Sequence, residues 1–225
     1  MPLLIKICGL KTVEALDTAL DAGADMVGFV FFPPSPRHLA PAEAGALGAR
    51  VRGRARKVAL SVDADDKLLE AIVASLKPDL LQLHGRETTE RVRAIKTRFG
   101  LPVMKALPVA SRADLAAVAD YAAASDWLLF DAKAPPDATR PGGLGQPFDW
   151  TLLKGINPGK PFMLSGGLSA RNVEEAIRVT QAPAVDVSSG VESSPGVKDL
   201  ARIREFIATA RAADARLAKP SVVHS

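Results

Sequence analysis

The sequence predicts a single (βα)8 TIM barrel, an α/β fold, and three observations support this prediction. Short apolar segments alternate with longer segments in which apolar residues recur every three or four positions, and this unit occurs eight times. One short segment, Met26–Phe31, is apolar throughout, which is typical of a parallel strand buried on both faces. The length of 225 residues suits one such barrel.

An open, doubly wound sheet is the structural alternative. It usually has fewer strands and a glycine fingerprint after the first strand. We therefore assign residues 1–218 to one barrel domain, and we expect residues 219–225 to form a disordered tail.

The first predicted strand covers residues 5–8, where polar and apolar side chains alternate so that Lys6 and Cys8 share one face. The other seven strands are short and mostly apolar, and they cover residues 26–31, 58–62, 80–84, 103–106, 127–130, 162–164 and 184–187.

The predicted helices carry one apolar stripe each and begin at recognisable caps. Thr12 and Asp65 occupy N-cap positions, and Gly23 is placed to end the first helix. The helices cover about 12–22, 41–50, 65–76, 88–99, 112–123, a short piece at 151–154, 170–180 and 198–212. The long segment 133–149, which is rich in proline and glycine, is predicted to be a lid or a binding loop.

Composition excludes several classes of function. The net charge is +4, but much of the excess positive charge lies in one basic run at residues 50–57. The barrel places this run away from the active face, and no aromatic residues are interleaved with it. We therefore expect no nucleic-acid partner. No apolar run approaches the length of a membrane span, so we expect no membrane partner. With one cysteine and no signal-like N-terminus, we expect a cytoplasmic protein. The sequence does not determine the oligomeric state, and a monomer is the favoured expectation.

Barrel enzymes build the active site at the carboxyl ends of the strands, and this rule selects the candidate residues. The residues that fall on that face are Cys8, Arg37, Asp63, His84, Asp131, Gly166 with Gly167, and Ser189 with Gly190.

Cys8 is the leading catalytic candidate because it ends the first strand on the same face as Lys6. An ammonium group near a thiol favours the thiolate, which is the form that accepts a proton or attacks carbon. The alternative is that Cys8 is a small buried hydrophobe.

Polar side chains spaced two residues apart are expected to line the upper part of the barrel. The pairs are Lys6 with Cys8, Ser61 with Asp63, Gln82 with His84, and Asp186 with Ser188. Buried polar groups need partners, so we expect Lys6 to pair with Asp186 across the first and last strands. A purely structural network is the alternative for Gln82 and His84.

Two glycine loops predict a phosphate site. Ser165-Gly166-Gly167 follows the seventh strand and Ser188-Ser189-Gly190 follows the eighth, where barrels commonly bind phosphate through backbone N–H groups. Two ordinary turns are the alternative.

Seven segments in this order resemble the phosphoribosylanthranilate isomerase family, and together they cover nearly the whole chain. They are residues 6–10 (KICGL), 28–31 (GFVF) with 35–37 (SPR), 81–85 (LQLHG), 130–133 (FDAK), 142–145 (GGLG) with 148–150 (FDW), 164–168 (LSGGL) and 186–192 (DVSSGVE). One departure is Leu144, where the glycine-rich lid of the family more often has threonine.

The resemblance implies an Amadori rearrangement of N-(5-phosphoribosyl)anthranilate, a phosphosugar, in tryptophan biosynthesis. It also implies that no metal and no organic cofactor takes part, and that Cys8 is the general base and Asp131 the general acid. Asp131, at a strand end, could hold a proton for the sugar-ring oxygen.

Arg37 follows a proline-stiffened loop and is expected to lie over the barrel mouth, away from the phosphate loops. Its guanidinium could bind the carboxylate of anthranilate through two parallel hydrogen bonds, with His84 as the next candidate for that role. The alternative is a surface arginine in a mobile loop.

Two other functions remain open on the sequence. A synthase or lyase acting on indole-containing phosphates would share the phosphate loops but would need a catalytic Lys and Glu pair. A phosphosugar-binding module would keep the loops without needing Cys8 or Asp131.

Overall fold

A computed structural model describes residues 2–135, 137–143, 145 and 147–217. The predicted tail at 219–225 and Leu144 lie outside the described residues.

Eight parallel strands form a closed barrel in sequence order, so the predicted fold is confirmed and the open sheet is excluded. The strands are β1 (Leu4–Cys8), β2 (Met26–Phe31), β3 (Arg56–Ser61), β4 (Leu80–Leu83), β5 (Val103–Val109), β6 (Trp127–Ala132), β7 (Phe162–Leu164) and β8 (Ala184–Val187). Pairing of β1 with β8 closes the barrel and sets Lys6 opposite Asp186.

Seven α-helices pack outside the barrel in the described part of the chain, one fewer than predicted. They are α1 (Val13–Asp21), α2 (Pro41–Val51), α3 (Asp66–Leu76), α4 (Thr89–Phe99), α5 (Val118–Ala124), α6 (Val173–Thr180) and α7 (Leu200–Leu217). After β6 the helical position holds only the 3-10 helix Trp150–Leu153, and the fifth predicted helix is split into a 3-10 turn, Arg112–Ala117, followed by α5.

The capping predictions agree with the observed helix ends. The side chains of Thr12 and Asp65 accept hydrogen bonds from the backbone of their own first turns. Ala22 is the C-cap of α1, and Gly23 follows it with a φ of +88°, a conformation that glycine adopts at little cost.

A small hairpin between β8 and α7 is absent from the predicted elements. Its strands are β9 (Glu192–Ser194) and β10 (Val197–Lys198), and they pair antiparallel so that Glu192 lies opposite Lys198. The hairpin takes up residues assigned to the last helix, so α7 begins at Leu200 rather than at residue 198.

The barrel interior is apolar at its lower end, toward the amino ends of the strands, and polar at its upper end, toward their carboxyl ends. A cluster that fills the lower interior consists of Met26, Val58, Leu80, Met104, Ala106, Leu129, Met163 and Ala184. Because this floor is closed, a ligand can enter only from the upper end, where the strands terminate.

The predicted inward direction of Ser61 and Asp63 is wrong. The register aligns Leu60 with Gln82, so Leu60 is the residue of β3 that points inward and Ser61 faces the helices. Asp63 adopts a left-handed conformation with a φ of 47°, and its carboxylate accepts a hydrogen bond from the backbone N–H of Arg86 at 2.6 Å. Asp63 therefore joins the loops after β3 and β4 and does not belong to the polar interior.

None of the described helices is both long enough and apolar enough to cross a lipid bilayer.

Candidate active site

A cavity at the upper end of the barrel, here called the mouth cavity, brings most of the predicted site residues together. Cys8, Arg37, His84, Asp131, Gly166, Gly167 and Ser189 all line it, together with Ser165, Ser188, Asp186, Gly142 and Gly143. Asp63 and Gly190 are not among its lining residues. A Cβ built on Gly190 would lie 1.8 Å from the carbonyl oxygen of Leu168, so Gly190 allows two loops to pack closely.

Cys8 lies beside a buried ion pair that the sequence predicted. The Lys6 ammonium is fully buried and donates to Asp186 Oδ1 at 2.9 Å, which confirms the expected pairing. Gly28 on the neighbouring strand provides the space, since a Cβ built there would lie 2.9 Å from the Cys8 sulfur and 3.2 Å from Lys6 Cε.

The electrostatics of Cys8 correct the expectation of a stabilised thiolate. Burial raises the pKa of the thiol, and the Lys6 ammonium offsets only part of this effect. Lys6 is already paired, and the Asp186 carboxylate also disfavours a second negative charge nearby. Without substrate, Cys8 is therefore a protonated thiol at neutral pH.

The pH dependence of thiol alkylation tests this description. Because Cys8 is the single cysteine, iodoacetamide reports on it alone. Its alkylation rate should rise with pH around a midpoint above that of a cysteine in a short unstructured peptide in the same buffers, since the thiolate is the reactive form. A midpoint below that of the peptide cysteine would show that Lys6 outweighs burial.

His84 connects Gln82 to Asp131 in a short hydrogen-bonded chain. The Gln82 amide nitrogen lies 3.0 Å from Nδ1 of His84, and Nε2 of His84 lies 3.1 Å from Oδ2 of Asp131. Asp131 is buried, and its other oxygen, Oδ1, accepts the N–H of Ala132. His84 therefore contacts the predicted acid directly.

The segment Gly142–Gly143 lies over this chain and over Arg37. A Cβ on Gly142 would be 2.5 Å from Oδ2 of Asp131 and 2.8 Å from Nε2 of His84. The carbonyl oxygen of Gly143 accepts a hydrogen bond from Arg37 Nη2 at 3.2 Å. The predicted binding loop thus contacts both sides of the mouth cavity, and only glycine at residue 142 leaves room for the His84–Asp131 contact.

Arg37 is held by a carboxylate that sequence reasoning missed. Its Nε and Nη2 donate to the two oxygens of Glu192 at 2.7 and 2.8 Å, and both side chains are buried. Lys198 also donates to Glu192, at 2.8 Å. Burial alone would raise the pKa of Glu192, but the bonds and charges of Arg37 and Lys198 outweigh it and lower the pKa to about 2.

This geometry excludes the alternative that Arg37 is a surface arginine in a mobile loop. Its Nη1 makes no hydrogen bond among the described residues, and the side chain lines the mouth cavity. The only sequence signal for Glu192 was its position at the end of the last of the seven recognised segments.

The glycine loop after β7 lines the mouth cavity with backbone donors that have no partner in the described part of the chain. Gly166 and Gly167 have φ values of +88° and +64°, and their N–H groups have no acceptor among the described residues. The side-chain amide of Asn172 holds the loop by donating to the carbonyl oxygen of Gly167 at 3.0 Å. This conformation suits an anion that accepts backbone hydrogen bonds.

The described part of the chain contains no group of three or more His, Cys, Asp or Glu side chains arranged to hold a metal ion.

Comparison with known proteins gives consistent matches over almost the whole chain. The family model for N-(5'phosphoribosyl)anthranilate (PRA) isomerase matches residues 5–209. The N-(5'-phosphoribosyl)anthranilate isomerase of Nitrobacter winogradskyi is 64% identical over 217 residues, which are 96% of each chain.

Solved structures agree with the sequence matches. The phosphoribosyl anthranilate isomerase of Thermotoga maritima is similar with a TM-score of 0.85 and 34% identity, over 93% of this chain and 99% of that one. A phosphoribosyl anthranilate isomerase in complex with reduced 1-(o-carboxyphenylamino)-1-deoxyribulose 5-phosphate is similar with a TM-score of 0.80 and 33% identity, over the same shares of the two chains.

Proposed function

The chain belongs to the N-(5'-phosphoribosyl)anthranilate isomerase family of tryptophan biosynthesis, and we propose that it performs the Amadori rearrangement with Cys8 as general base and Asp131 as general acid. The substrate is N-(5-phosphoribosyl)anthranilate and the product is 1-(2-carboxyphenylamino)-1-deoxyribulose 5-phosphate. The observation that carries the assignment of roles is that one cavity is lined by a thiol, a buried carboxyl group and a glycine loop whose N–H groups have no acceptor among the described residues.

Ring opening needs an acid at the ribose ring oxygen. Asp131 gives its proton to that oxygen while the C1–O bond breaks, and the anthranilate nitrogen forms a C=N bond to C1. The product of this step is a cationic Schiff base with a free hydroxyl group at C4. Nε2 of His84 lies 3.1 Å from Oδ2 of Asp131, and a protonated Nε2 would stabilise the carboxylate that remains through a hydrogen bond.

The second step removes the C2 proton. The iminium group acidifies that proton, and Cys8 accepts it when present as thiolate, giving an enolamine that tautomerises to the ketone. Burial disfavours the thiolate in the empty site. The cationic Schiff base supplies the opposite charge that favours it when base catalysis is required.

The phosphate group is proposed to bind at the loops after β7 and β8. Sulfate and inorganic phosphate should then compete with the substrate, and Gly167→Val should raise KM more than it lowers kcat, because a side chain blocks the approach to the backbone donors. Gly155→Val is the matched control, since this glycine also has a positive φ and a Cβ there meets nothing within 4 Å. Anion density elsewhere in sulfate-soaked crystals would contradict the assignment.

Arg37 is proposed to bind the anthranilate carboxylate. Arg37→Ala should lower kcat/KM by about 10- to 100-fold, as expected for the loss of a charge-assisted hydrogen bond. Arg37→Lys should recover only part of this loss, because an ammonium lacks the planar fork that binds Glu192 and the substrate together. The exposed Arg178→Ala serves as control. An unchanged kcat/KM in Arg37→Ala would show that other residues recognise anthranilate, and His84 would be the next residue to test.

The rival functions considered on the sequence are set aside by the family match. The structure gives an independent reason against a lyase that needs a catalytic Lys and Glu pair. Among the described residues Lys133 lines the mouth cavity, but no glutamate does. The monomeric state and the cytoplasmic location stay predictions.

The test of the function is direct. Purified protein is mixed with freshly made phosphoribosylanthranilate, and the loss of anthranilate-type fluorescence is followed with time. We expect loss that is proportional to protein concentration, whereas a rate equal to that of the buffer alone would contradict the proposal.

A further inference from the structure

Gln82 is a buried amide whose hydrogen bonding is incomplete. Its side chain lies inside the barrel, and the strand register places the apolar residues Leu60 and Met104 beside it. The amide nitrogen contacts Nδ1 of His84 at 3.0 Å, whereas Oε1 has no partner among the described residues. Burying a polar atom without a partner is unfavourable for stability. The single contact with His84 is therefore the feature that Gln82 contributes to the site.

This contact points to one tautomer of His84. The amide nitrogen of Gln82 is the atom that faces Nδ1, and an amide nitrogen only donates, so this orientation requires an Nδ1 that accepts and carries no proton. The proton of the neutral imidazole then lies on Nε2, which is 3.1 Å from Oδ2 of Asp131. His84 is thereby a hydrogen-bond donor to that one oxygen.

We propose that Gln82 is a positioning residue that holds His84 in the Nε2–H tautomer, so that the ring donates to Asp131 and does not take its acid proton. Nε2 of His84 lies 3.1 Å from Oδ2, and Oδ1 accepts the N–H of Ala132 at 3.0 Å. With Nε2 protonated, both oxygens of Asp131 face donors that stabilise the carboxylate left after proton transfer. The inference rests on the proposed role of Asp131 as acid.

The other tautomer would work against the acid. With the proton on Nδ1, the lone pair of Nε2 would face Asp131 and accept the proton intended for the ring oxygen. Asp131 would then be a carboxylate before ring opening begins. A glutamate at residue 82 would impose this state because its carboxylate accepts from Nδ1–H, while a methionine of similar size would impose neither state.

Nitrogen-15 NMR of the histidine rings measures the tautomer without reference to activity. The chain has three histidines, so comparison with His84→Asn assigns the signals. Near pH 8, where an ordinary imidazole is neutral, we expect His84 to show a protonated Nε2 and an unprotonated Nδ1. Gln82→Glu should protonate Nδ1, and Gln82→Met should give a mixture. A protonated Nδ1 in the unaltered protein would overturn the proposal even if no variant folds.

Kinetics supply the second readout. Gln82→Glu should lower kcat by about 10- to 100-fold with KM changed less than about threefold, and Gln82→Met should fall between it and the unaltered enzyme. Thr180→Val controls for the loss of a buried hydrogen bond, because Thr180 bonds only within its own helix end. An altered tautomer with unchanged kcat, or an equal loss in Thr180→Val, would overturn the proposal. Failure of the proposed function would instead appear as an inactive unaltered enzyme with the expected tautomer.

Discussion

Replacing Cys8 with alanine is expected to lower kcat by at least ~100-fold, which is the usual scale for loss of a general base. The thiol lines the mouth cavity between the Lys6–Asp186 pair and the glycine loops, and no other titratable sulfur exists in the chain. Initial rates from the fluorescence assay measure the effect. KM should change much less than kcat, because Cys8 acts on the C2 proton and does not hold the phosphate or the carboxylate.

Two controls separate chemistry from folding in this variant. Circular dichroism and inhibition by sulfate should match those of the unaltered protein. Cys8→Ser, which keeps the size of the side chain but is a far weaker base at neutral pH, should be nearly as slow as Cys8→Ala. Near-normal turnover in Cys8→Ala would show that Cys8 is a small buried hydrophobic residue with no catalytic role.

Asp131→Asn is expected to be as damaging as the loss of Cys8. The amide keeps the shape of the side chain but has no proton that it can transfer to the ring oxygen, so kcat should fall by at least ~100-fold. The introduced amide would also have to present its oxygen to Nε2–H of His84 to keep the contact that Asp131 makes. Steady-state kinetics measure the effect.

Asp65→Asn is the matched control for this substitution. Asp65 is a carboxylate at the same end of the barrel that caps α3 through the N–H of Leu68 and does not line the mouth cavity. Its loss should leave kcat unchanged. If Asp131→Asn raised only KM, Asp131 would be a binding residue and another group would have to protonate the sugar.

The elements that could be predicted are those whose hydrophobic pattern determines them. The bounds of β2 and β7 agree with the sequence prediction because each is a continuous apolar run bounded by polar residues or turns. The bounds of β8 also agree, although Asp186 interrupts its apolar residues. The hairpin of β9 and β10 could not be predicted, since Glu192-Ser193-Ser194 has no apolar alternation and its pairing depends on the turn at Gly196.

The inward face of β3 is a second feature that the sequence alone could not predict. Leu60 and Ser61 lie on opposite faces of one strand, and the sequence does not state which face joins the barrel interior. The register with β4 decides this by pairing Leu60 with Gln82. Register is a property of barrel closure and cannot be obtained from one strand alone.

The site was predictable where strand ends define it. Cys8, His84 and Asp131 lie within one residue of the carboxyl ends of their strands and therefore meet at the barrel mouth. The partner of Arg37 was not predictable, because Glu192 is 155 residues away and lies in the hairpin. The acidity of Cys8 was misjudged for a related reason. The two-residue alternation along a strand shows that Lys6 lies on the same face as the thiol, but it does not show how strongly burial opposes the thiolate.

The most direct test of the account compares four proteins in one assay: the unaltered enzyme, Cys8→Ala, Asp131→Asn and the double variant. Each is mixed with freshly made phosphoribosylanthranilate while fluorescence is recorded. Because the two groups serve one rearrangement, the double variant should be about as slow as the slower single variant and not slower by the product of both losses. Substrate loss by the double variant at a rate within about tenfold of the unaltered enzyme would contradict the assignment of base and acid, since each loss alone should exceed that factor.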